Sequence, residues 1–577
     1  MGKFLLGLVT GAILVVVIGV IGFFAIASLK SKPPSIADGS TLILSLSGDV
    51  PEKPPLDVPI PFLQDKTPLT VENIWSMLHR AATDSRIKAV VLEPEGVAIG
   101  WAKMQEIRSD IEEFRKSGKP VYAFLKSPGT REYYLATAAS KIYMEPVDEL
   151  NLKGLGLELM YFKNTLDKLG VQVEVEHAGK YKDYGDMFTK TGMSPETREV
   201  MNSVADDIYG DLIDTIAKGR KQDAATVRAT IDDGPFLSTQ AKEKGLVDEL
   251  RFEDEMFGEL KTALHQTELK KLSDRDFANV PDATVTSPDR IAYVVGEGSI
   301  TRGSADSSDD SGIESEQFDR ILSKVENDSG IKAVIVRIDS PGGEVTASDE
   351  MWRAMNELGK KKPVVISMSD AAASGGYYMA MSGAPIIAYP GTETGSIGVV
   401  FGKPNLHGLY DKLGITKDYV SRGKFALIDS DYQSLTDAGR AKLREGIDSD
   451  YQDFVAKVAA ARKKTPAEIE PIAQGRVWMG DQAKANGLVD ELGGLDRAVE
   501  MARQKAKIPA SAKVNLVLYP GKRSLFDLLF KSGDSEAEAM MSRAGLEPLK
   551  AAWHDDRMRV WMRGGMLRMM PFSLEFR

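Results

Sequence analysis

Apolar residues along the chain follow two spacings, and these predict strands that alternate with helices. The segments IKAVVLEP at 87–94 and KPVYAF at 119–124 are short runs of β-branched and aromatic residues, which are typical of buried strands. Between them, WAKMQEIRSDIEEFRKSG at 101–118 places its larger apolar side chains on one face of a helix. The order strand, helix, strand predicts an α/β fold.

The same pattern occurs twice in the chain. DSRIKAVV at 84–91 returns as DSGIKAVI at 328–335, a displacement of 244 residues. Near the end of each copy, AKEKGLVDEL from Ala241 returns as AKANGLVDEL from Ala483, a displacement of 242 residues. Units of this size exceed the period of solenoid repeats and are large enough to bury a core each. We therefore predict a tandem duplication of one α/β domain.

A long uncharged apolar segment precedes the first copy. It is FLLGLVTGAILVVVIGVIGFFAIASL at 4–29, and at about 1.5 Å per residue a helix of this length spans a bilayer core of about 30 Å. This length predicts a transmembrane anchor. The alternative is a cleaved signal peptide, because AIA at 25–27 resembles a cleavage site, although the apolar run is longer than the usual h-region of about 7 to 15 residues.

The limits of the duplication divide the chain into four parts. The last part contains RMRVWMRGGMLRMM at 557–570, whose methionine and arginine residues suit a membrane surface, a neighbouring subunit or ordinary packing. The predicted parts are an N-terminal anchor and linker at 1–39, a first repeat at 40–284, a second repeat at 285–506 and a C-terminal extension at 507–577.

Composition excludes several classes of function. The 577 residues carry a formal net charge of -11, which argues against a nucleic-acid-binding surface. The chain has no cysteine, so zinc ribbons, disulfide frameworks and cysteine nucleophiles are excluded. No P-loop motif occurs in the sequence, and we expect neither ATP nor a metal or other cofactor.

Three glycine-rich segments of the second repeat suggest a catalytic serine. They are DSPGGEV from Asp339, ASGGYY from Ala373 and TGSIGVV from Thr394, and each follows or interrupts a predicted strand. Glycines permit tight turns that present backbone N–H groups, which are the donors that stabilise an oxyanion. Ser374, directly before the glycine pair of ASGGYY, is therefore a candidate nucleophile.

A serine nucleophile needs a base within hydrogen-bond distance. Ser374 lies outside any G-x-S-x-G motif, so a histidine-based triad has no motif to support it. Lysine is the other base that serine hydrolases use, and it must be neutral to accept a proton, which requires burial or a nearby cation. Histidine is scarce in the chain, and its five positions are His79, His177, His265, His407 and His554.

Taken together, these motifs resemble those of the signal peptide peptidase A family in its long, duplicated bacterial form. The resemblance rests on the duplication, on SPGG, ASGGYY and TGSIGV in the second repeat, and on AGKYKDYGDMFTKTGMSP at 178–195 in the first. It implies two tandem domains with the Clp protease and crotonase superfamily fold. It also implies that Ser374 is the nucleophile and that Lys182, in the G-x-Y-K segment, is the general base.

The duplication supplies a check on this pair of residues. A displacement of 244 residues matches Lys182 with Ala426 and Ser374 with Thr130, so each repeat keeps one half of the pair. The glycine pair after Ser374 is also absent from the first repeat. We therefore predict one composite site per chain, formed where the lysine of the first repeat meets the serine of the second.

The resemblance assigns roles to three further residues. Gly343 of SPGG and Gly375 would donate their backbone N–H groups to the oxyanion. Ser396 of TGSIG would hydrogen-bond the lysine amine, and its alternative role is that of a serine satisfied within a glycine turn. A neutral partner suits this position, because a carboxylate would stabilise the lysine cation and raise its pKa.

The function implied by the resemblance is that of a membrane-anchored serine endopeptidase. Such an enzyme degrades cleaved signal peptides and other short apolar peptides through an acyl-enzyme. The resemblance further implies a homotetramer attached to the bacterial inner membrane, with its catalytic part in the periplasm. Two alternatives remain, namely an anchored peptide-binding scaffold or pseudopeptidase and a crotonase-like acyl-transfer enzyme.

Overall fold

The computed structural model describes most of the two repeats and a short segment close to the C-terminus. The predicted anchor at 4–29 lies outside the described residues. No helix among those residues combines the length and the apolar character that crossing a membrane requires. The described ranges are 35–54, 68–281, 287–303, 312–521 and 566–570.

The first repeat is built on a six-stranded sheet, in the order β8-β4-β3-β2-β1-β9, in which every pairing is parallel. Helices cover both faces of a parallel sheet, so central strands are apolar on both sides, and residues 89–92 of the second strand are fully buried. The strands are β1 (Ser40–Gly48), β2 (Ile87–Val97), β3 (Val121–Leu125), β4 (Lys141–Met144), β5 (Glu149–Leu150), β6 (Gln172–Ala178), β7 (Phe236–Leu237), β8 (Glu249–Leu250) and β9 (Lys270–Ser273).

The second repeat contains a corresponding sheet in the order β19-β17-β15-β13-β10-β21, with β16 and β20 attached beside β15. Its last strand pairs with β10 as β9 pairs with β1, so this sheet includes residues beyond 506, where the sequence predicts the end of the repeat. The strands are β10 (Arg290–Glu297), β11 (Ser299–Thr301), β12 (Gly312–Glu314), β13 (Ile331–Ser340), β14 (Gly342–Glu344), β15 (Val364–Ala373), β16 (Ile386–Ala388), β17 (Glu393–Gly395), β18 (Val399–Asn405), β19 (Val477–Met479), β20 (Glu491–Leu492), β21 (Asn515–Tyr519) and β22 (Met566–Met569).

Helices connect the parallel strands of each repeat, and the predicted α/β fold with two tandem repeats is confirmed. Ser194 and Thr436 cap the two longest helices, each of 26 residues, by accepting a backbone N–H at the third helical position. The helices of the first repeat are Val71–Thr83, Trp101–Arg115, Thr130–Ala136, Lys163–Leu169, Asp186–Thr189, Pro195–Arg220, Ala224–Asp232, Ser238–Glu243, Glu253–Ala263 and Asp274–Asn279. Those of the second are Ser315–Asn327, Val345–Lys361, Gly375–Met379, His407–Leu413, Asp437–Arg462, Pro466–Ile469, the 3-10 turn Glu470–Ile472, Gly480–Asn486 and Leu495–Lys505.

A third sheet joins the two repeats, in the order β12-β11-β14-β22-β18-β6. β6 belongs to the first repeat and pairs with β18 of the second in antiparallel fashion over seven residue pairs. Lys182 follows the end of β6 closely, and Ser396 lies shortly before the start of β18. The pairing therefore brings the lysine segment of one repeat to the serine segments of the other.

A buried network of charges also joins the repeats. Arg337 of β13 lies 2.7 Å from Glu52 and 2.5 Å from Glu106, and all three side chains are buried. In the adjacent strand β15, Asp370 accepts the backbone N–H of Lys103 at 2.9 Å. Removing one partner of a buried ion pair typically costs about 3–5 kcal/mol. These contacts therefore hold β15, which leads directly to Ser374, against the first repeat.

Candidate active site

Ser374 lies at a sharp turn between β15 and the helix Gly375–Met379. Its side chain is completely buried, and its φ angle of 53° is in the left-handed region, which is costly for a residue with a side chain. The backbone N–H of Ser374 donates to the carbonyl oxygen of Gly395 at 2.8 Å, and its own carbonyl oxygen accepts from Tyr378. Backbone strain that is held in this way occurs often at catalytic positions.

The amine of Lys182 reaches Ser374 from the first repeat. Its Nζ lies 2.7 Å from Ser374 Oγ, 2.9 Å from the carbonyl oxygen of Ser396 and 2.9 Å from Ser396 Oγ. The lysine side chain is completely buried. The sequence names all three of these residues, and the structure brings them into one hydrogen-bonded cluster. Sequence reasoning missed the contact with the Ser396 carbonyl, because a backbone acceptor leaves no trace in residue identity.

Burial determines the protonation state of Lys182. Desolvation of the ammonium holds the pKa of Lys182 well below its usual range, and the charge of Asp183 opposes this shift only in part. The cation of Arg568 lowers the pKa further. A neutral amine beside a serine hydroxyl is able to accept its proton.

The backbone at Gly475 packs directly against the backbone of Lys182, and this close contact allows the lysine to reach Ser374. A Cβ atom at Gly475 would lie 2.6 Å from the backbone nitrogen and 2.7 Å from the Cβ of Lys182, and its φ of 77° is also unfavourable for other residues. Beside it, the backbone N–H of Tyr181 donates to the carbonyl oxygen of Gln474 at 2.7 Å. Gly475 is a positioning residue that the sequence did not reveal, since it lies 293 positions from the lysine.

Gly343, Gly375 and a carbonyl oxygen from the C-terminal segment lie close together beside Ser374. A Cβ atom on Gly375 would lie 3.0 Å from the nitrogen of Gly343 and 3.0 Å from the carbonyl oxygen of Arg568. Gly343 pairs with Arg568 in the antiparallel ladder between β14 and β22, and Met570 donates its N–H to Pro341 at 2.6 Å. Because hydrogen-bonded pairs alternate along such a ladder, the Gly343 N–H faces the Arg568 carbonyl.

The corresponding turn of the first repeat is filled by a carboxylate. Glu132 occupies the position equivalent to Gly376, and its two oxygens accept the backbone N–H groups of Val97 at 2.7 Å and Gly129 at 2.9 Å. Thr130 stands where the second repeat has Ser374. The carboxylate of Glu132 thus lies at the turn that carries the glycine pair in the second repeat.

Three of the histidines that the sequence leaves as alternative bases have other partners, and a fourth, His265, is exposed. The ring of His79 lies 3.0 Å from Asp496, His177 bonds the carbonyl oxygen of Gly179 at 3.0 Å, and His407 stacks on Tyr432. His554 lies outside the described residues. Within the described part of the chain, the basic side chain bonded to Ser374 is that of Lys182.

Comparisons with known proteins agree on the class of the molecule. Residues 310–394 match the Clp protease family. "Serine protease SPPA, chloroplastic" of Arabidopsis thaliana is 35% identical over 87% of this chain and 74% of that protein. "Protease 4" of Salmonella typhi is 32% identical over 82% of this chain and 77% of that protein. The chain is therefore a serine peptidase.

The family is equally well defined. Peptidase family S49 matches residues 113–267 and residues 356–509, one match in each repeat. "Protease 4" of Haemophilus influenzae is a further relative, 30% identical over 74% of this chain and 71% of that protein. The chain belongs to peptidase family S49. Its membership favours a peptidase over the scaffold and the crotonase-like enzyme that the sequence left open.

Proposed function

We propose that the chain is a membrane-anchored serine endopeptidase in which Ser374 is the nucleophile and Lys182 is the general base. The observation that carries this proposal is the 2.7 Å hydrogen bond between Lys182 Nζ and Ser374 Oγ in a fully buried setting. The relatives named Protease 4 support the same reaction class.

The reaction begins when Ser374 attacks a peptide carbonyl while the neutral amine of Lys182 takes the hydroxyl proton. The resulting lysine ammonium gives this proton to the leaving amine, and an acyl-enzyme remains on Ser374. Water then attacks the acyl carbonyl and gives a proton to Lys182. As the acid product leaves, the lysine ammonium returns this proton to the Ser374 oxygen. The attack by serine and the later attack by water each require a neutral lysine at their start, which its burial favours.

Backbone amides stabilise the charge that develops on the carbonyl oxygen. The Gly343 N–H faces the Arg568 carbonyl oxygen, which lies beside Gly375. The N–H groups of these two glycines are the proposed oxyanion donors, and losing one such donor typically costs about 10²–10³ in rate. Ser396 orients the lysine through its hydroxyl and carbonyl oxygens. Both acceptors are uncharged, so they direct the amine without adding a carboxylate that would strengthen its protonation.

The substrates that fit this proposal are cleaved signal peptides and other short apolar peptides. The apolar segment at 4–29 supports attachment to the bacterial inner membrane, with the catalytic part in the periplasm. Each repeat is proposed to have the Clp protease and crotonase-like fold, which the family match at 310–394 supports. Assembly as a homotetramer would place the sites within one particle and exclude folded proteins.

The test is labelling of the full chain by a fluorophosphonate probe as a function of pH. We expect the labelling rate to rise as pH increases through a midpoint well below the usual lysine pKa, because deprotonation of Lys182 creates the base. Ser374→Ala should abolish labelling, and Lys182→Met should reduce it about 10²–10⁴-fold and remove the rise. Thr130→Ala, at the equivalent position of the first repeat, is the matched control and should label normally.

Two results would contradict the assignment. Labelling of the Ser374→Ala chain would place the nucleophile elsewhere. An unchanged pH profile in Lys182→Met would retain the serine and discard lysine as its base. Hydrolysis of a synthetic signal peptide by the same variants, followed by mass spectrometry, tests the proposed substrate class.

A further inference from the structure

The segment 566–570 lies in the third sheet as an extended peptide between two strands of the cleft. β22 pairs antiparallel with β14 on one side and with β18 on the other. Addition of an extended peptide to strands is a general mode of peptide recognition, in which backbone bonds give affinity and side-chain pockets give specificity. The segment therefore shows how this cleft holds an extended chain.

Its register places Arg568 at the reacting position. The Arg568 carbonyl oxygen faces the N–H of Gly343 and lies beside Gly375, where the proposed mechanism requires the carbonyl of the scissile bond. The side chain of Arg568 consequently occupies the subsite for the residue on the N-terminal side of that bond. We call this subsite the arginine pocket.

Aromatic rings form the walls of the arginine pocket. The guanidinium carbon of Arg568 lies 3.6 Å from the ring centre of Tyr378 and 5.3 Å from that of Phe454. The arginine side chain is 1% exposed, so the cation is almost completely removed from water. A desolvated cation over an aromatic ring contributes more to binding than an exposed one.

Carboxylates supply the charge that such a cation requires. Asp453 lies 3.6 Å from the Arg568 guanidinium. Burial raises the pKa of Asp450, and the charge of Arg568 opposes this shift. Burial also acts to raise the pKa of Asp349, but hydrogen bonds from Tyr378 and Lys457 lower it, and the charge of Arg568 adds to them. Oδ2 of Asp450 is buried without a hydrogen-bond partner among the described residues. The pocket has three carboxylates, those of Asp349, Asp450 and Asp453. Lys457 forms ion pairs with Asp349 and Asp453, and its single positive charge is smaller than the negative charge of the three carboxylates together.

The first repeat contains a tyrosine–aspartate pair like that of the arginine pocket, with an arginine of the same repeat beside it. Tyr134, the counterpart of Tyr378, donates to Asp211 at 2.8 Å, as Tyr378 donates to Asp453 at 2.7 Å. The guanidinium of Arg108 lies 5.7 Å from the Tyr134 ring. In the first repeat, the arginine near the tyrosine is Arg108 of the same repeat. In the second repeat, it is Arg568 of the extended segment 566–570.

We propose that the arginine pocket makes this peptidase selective for bonds that follow an arginine flanked by apolar residues. The inference rests on the proposed function and specifies the substrates of the same site. Leu567 and Met569 flank Arg568, so the bound segment itself has this composition. In a signal peptide, the same composition occurs where the basic n-region meets the apolar h-region.

The cation of such a substrate would also assist the reaction. Burial is the main cause of the lowered pKa of Lys182, and the charge of Arg568 lowers it further. A substrate with arginine in the pocket therefore keeps the amine neutral, whereas a substrate with an uncharged residue loses this contribution.

The test compares three quenched fluorescent peptides that contain Met-Leu-Arg-Met-Met, or the same sequence with citrulline or leucine in place of arginine. Citrulline keeps the shape of arginine without its charge. The full chain carries Arg568→Ala, so that its own arginine does not compete. We expect kcat/KM for the arginine peptide to exceed that for the citrulline peptide by about 30-fold.

Pocket variants make the test specific. Asp450→Asn and Asp453→Asn should each reduce the preference for arginine over citrulline by about 2- to 10-fold. Asp211→Asn, at the equivalent position of the first repeat, is the matched control and should leave the preference unchanged. The citrulline peptide also reports whether each variant chain is folded and active.

A measurement of peptide binding tests the arginine pocket independently of the proposed peptidase activity. Fluorescence anisotropy measures the affinity of labelled peptides for the full chain carrying Ser374→Ala and Arg568→Ala, which needs no catalysis. Equal affinities for the arginine and citrulline peptides would overturn the arginine pocket. Preferential binding of arginine by a chain whose Ser374 proves unreactive would support the pocket and contradict the peptidase mechanism.

Discussion

At the scale of single residues, Lys182 shows how a catalytic requirement conflicts with stability. A buried lysine must lose either its hydration or its proton, and both cost free energy. The side chain is nevertheless completely buried and bonded to Ser374 and Ser396. Such costs are tolerated at active sites because the same burial creates the reactive amine.

We expect Lys182→Met to raise the free energy of unfolding at neutral pH. The folded pKa of Lys182 is lowered by burial, so the unfolded wild-type chain binds a proton that the folded chain does not. This difference makes wild-type stability increase with pH until the usual lysine pKa of about 10.4 is reached. The advantage of the variant should therefore be largest near pH 7 and decrease towards pH 10.

Thermal unfolding of both chains across this pH range measures the effect. Thr130→Ala serves as the control for a substitution at the corresponding site of the other repeat. A variant that is less stable than wild type at every pH would show that Lys182 is held as a cation or that its hydrogen bonds outweigh its desolvation.

The sequence identifies the residues of the site better than their contacts. Ser374 and Lys182 lie in recognisable motifs, but 192 positions separate them, and only the fold explains how they meet. The role of Gly475 and the position of Arg568 have no local signal. Both depend on which distant segment packs beside the motif, and that information is not present in a short stretch of sequence.

At the scale of elements, the turn at Gly475 controls the position of the lysine segment. We expect Gly475→Ala to reduce peptidase activity by at least about 10-fold, because its Cβ would displace the Lys182 backbone and small misplacements of catalytic groups are costly. Gly118→Ala is the matched control, since Gly118 has a φ of 80° with nothing within 4 Å of the added Cβ.

Measuring kcat and the unfolding temperature of both variants distinguishes backbone strain at a positive φ from displacement of the Lys182 segment. Both variants carry the cost of a positive φ, and Gly475→Ala carries the added cost of its close contacts with Lys182. Only Gly475→Ala should lose kcat. Equal activities in the two variants would mean that the Lys182 segment tolerates the added carbon without moving.

Strand pairing is the part of the element structure that the sequence predicts least well. The apolar runs of β2 and β13 predict central strands because parallel sheets bury both faces. The pairing of β6 with β18 across the repeats has no comparable signal, since β6 is only partly buried. The extension of the second sheet by β21 was equally hidden, because its residues are half-exposed.

At the scale of the whole molecule, the site is completed within one chain. Lys182 of the first repeat and Ser374 of the second meet without a contribution from another subunit. The network around Arg337 and the pairing of β6 with β18 fix the two repeats against each other. The Lys182–Ser374 pair therefore requires both copies of the duplicated domain.

A mixing experiment tests this arrangement. Chains with Lys182→Met and chains with Ser374→Ala are expected to stay inactive when they are co-expressed, because neither contains a complete pair. Each chain mixed with wild type provides the control for assembly. Recovery of peptide hydrolysis in the doubly defective mixture would show that the lysine of one chain serves the serine of another.

The carboxylate at Glu132 has a consequence for the history of the chain. A second Lys-Ser pair would require a serine at Thr130, a lysine at Ala426 and replacement of Glu132, whose carboxylate accepts two backbone N–H groups. Three separate substitutions therefore lie between the present chain and a second pair. Because Lys182 and Ser374 come from different copies, a chain that kept only one copy would lack one member of the pair.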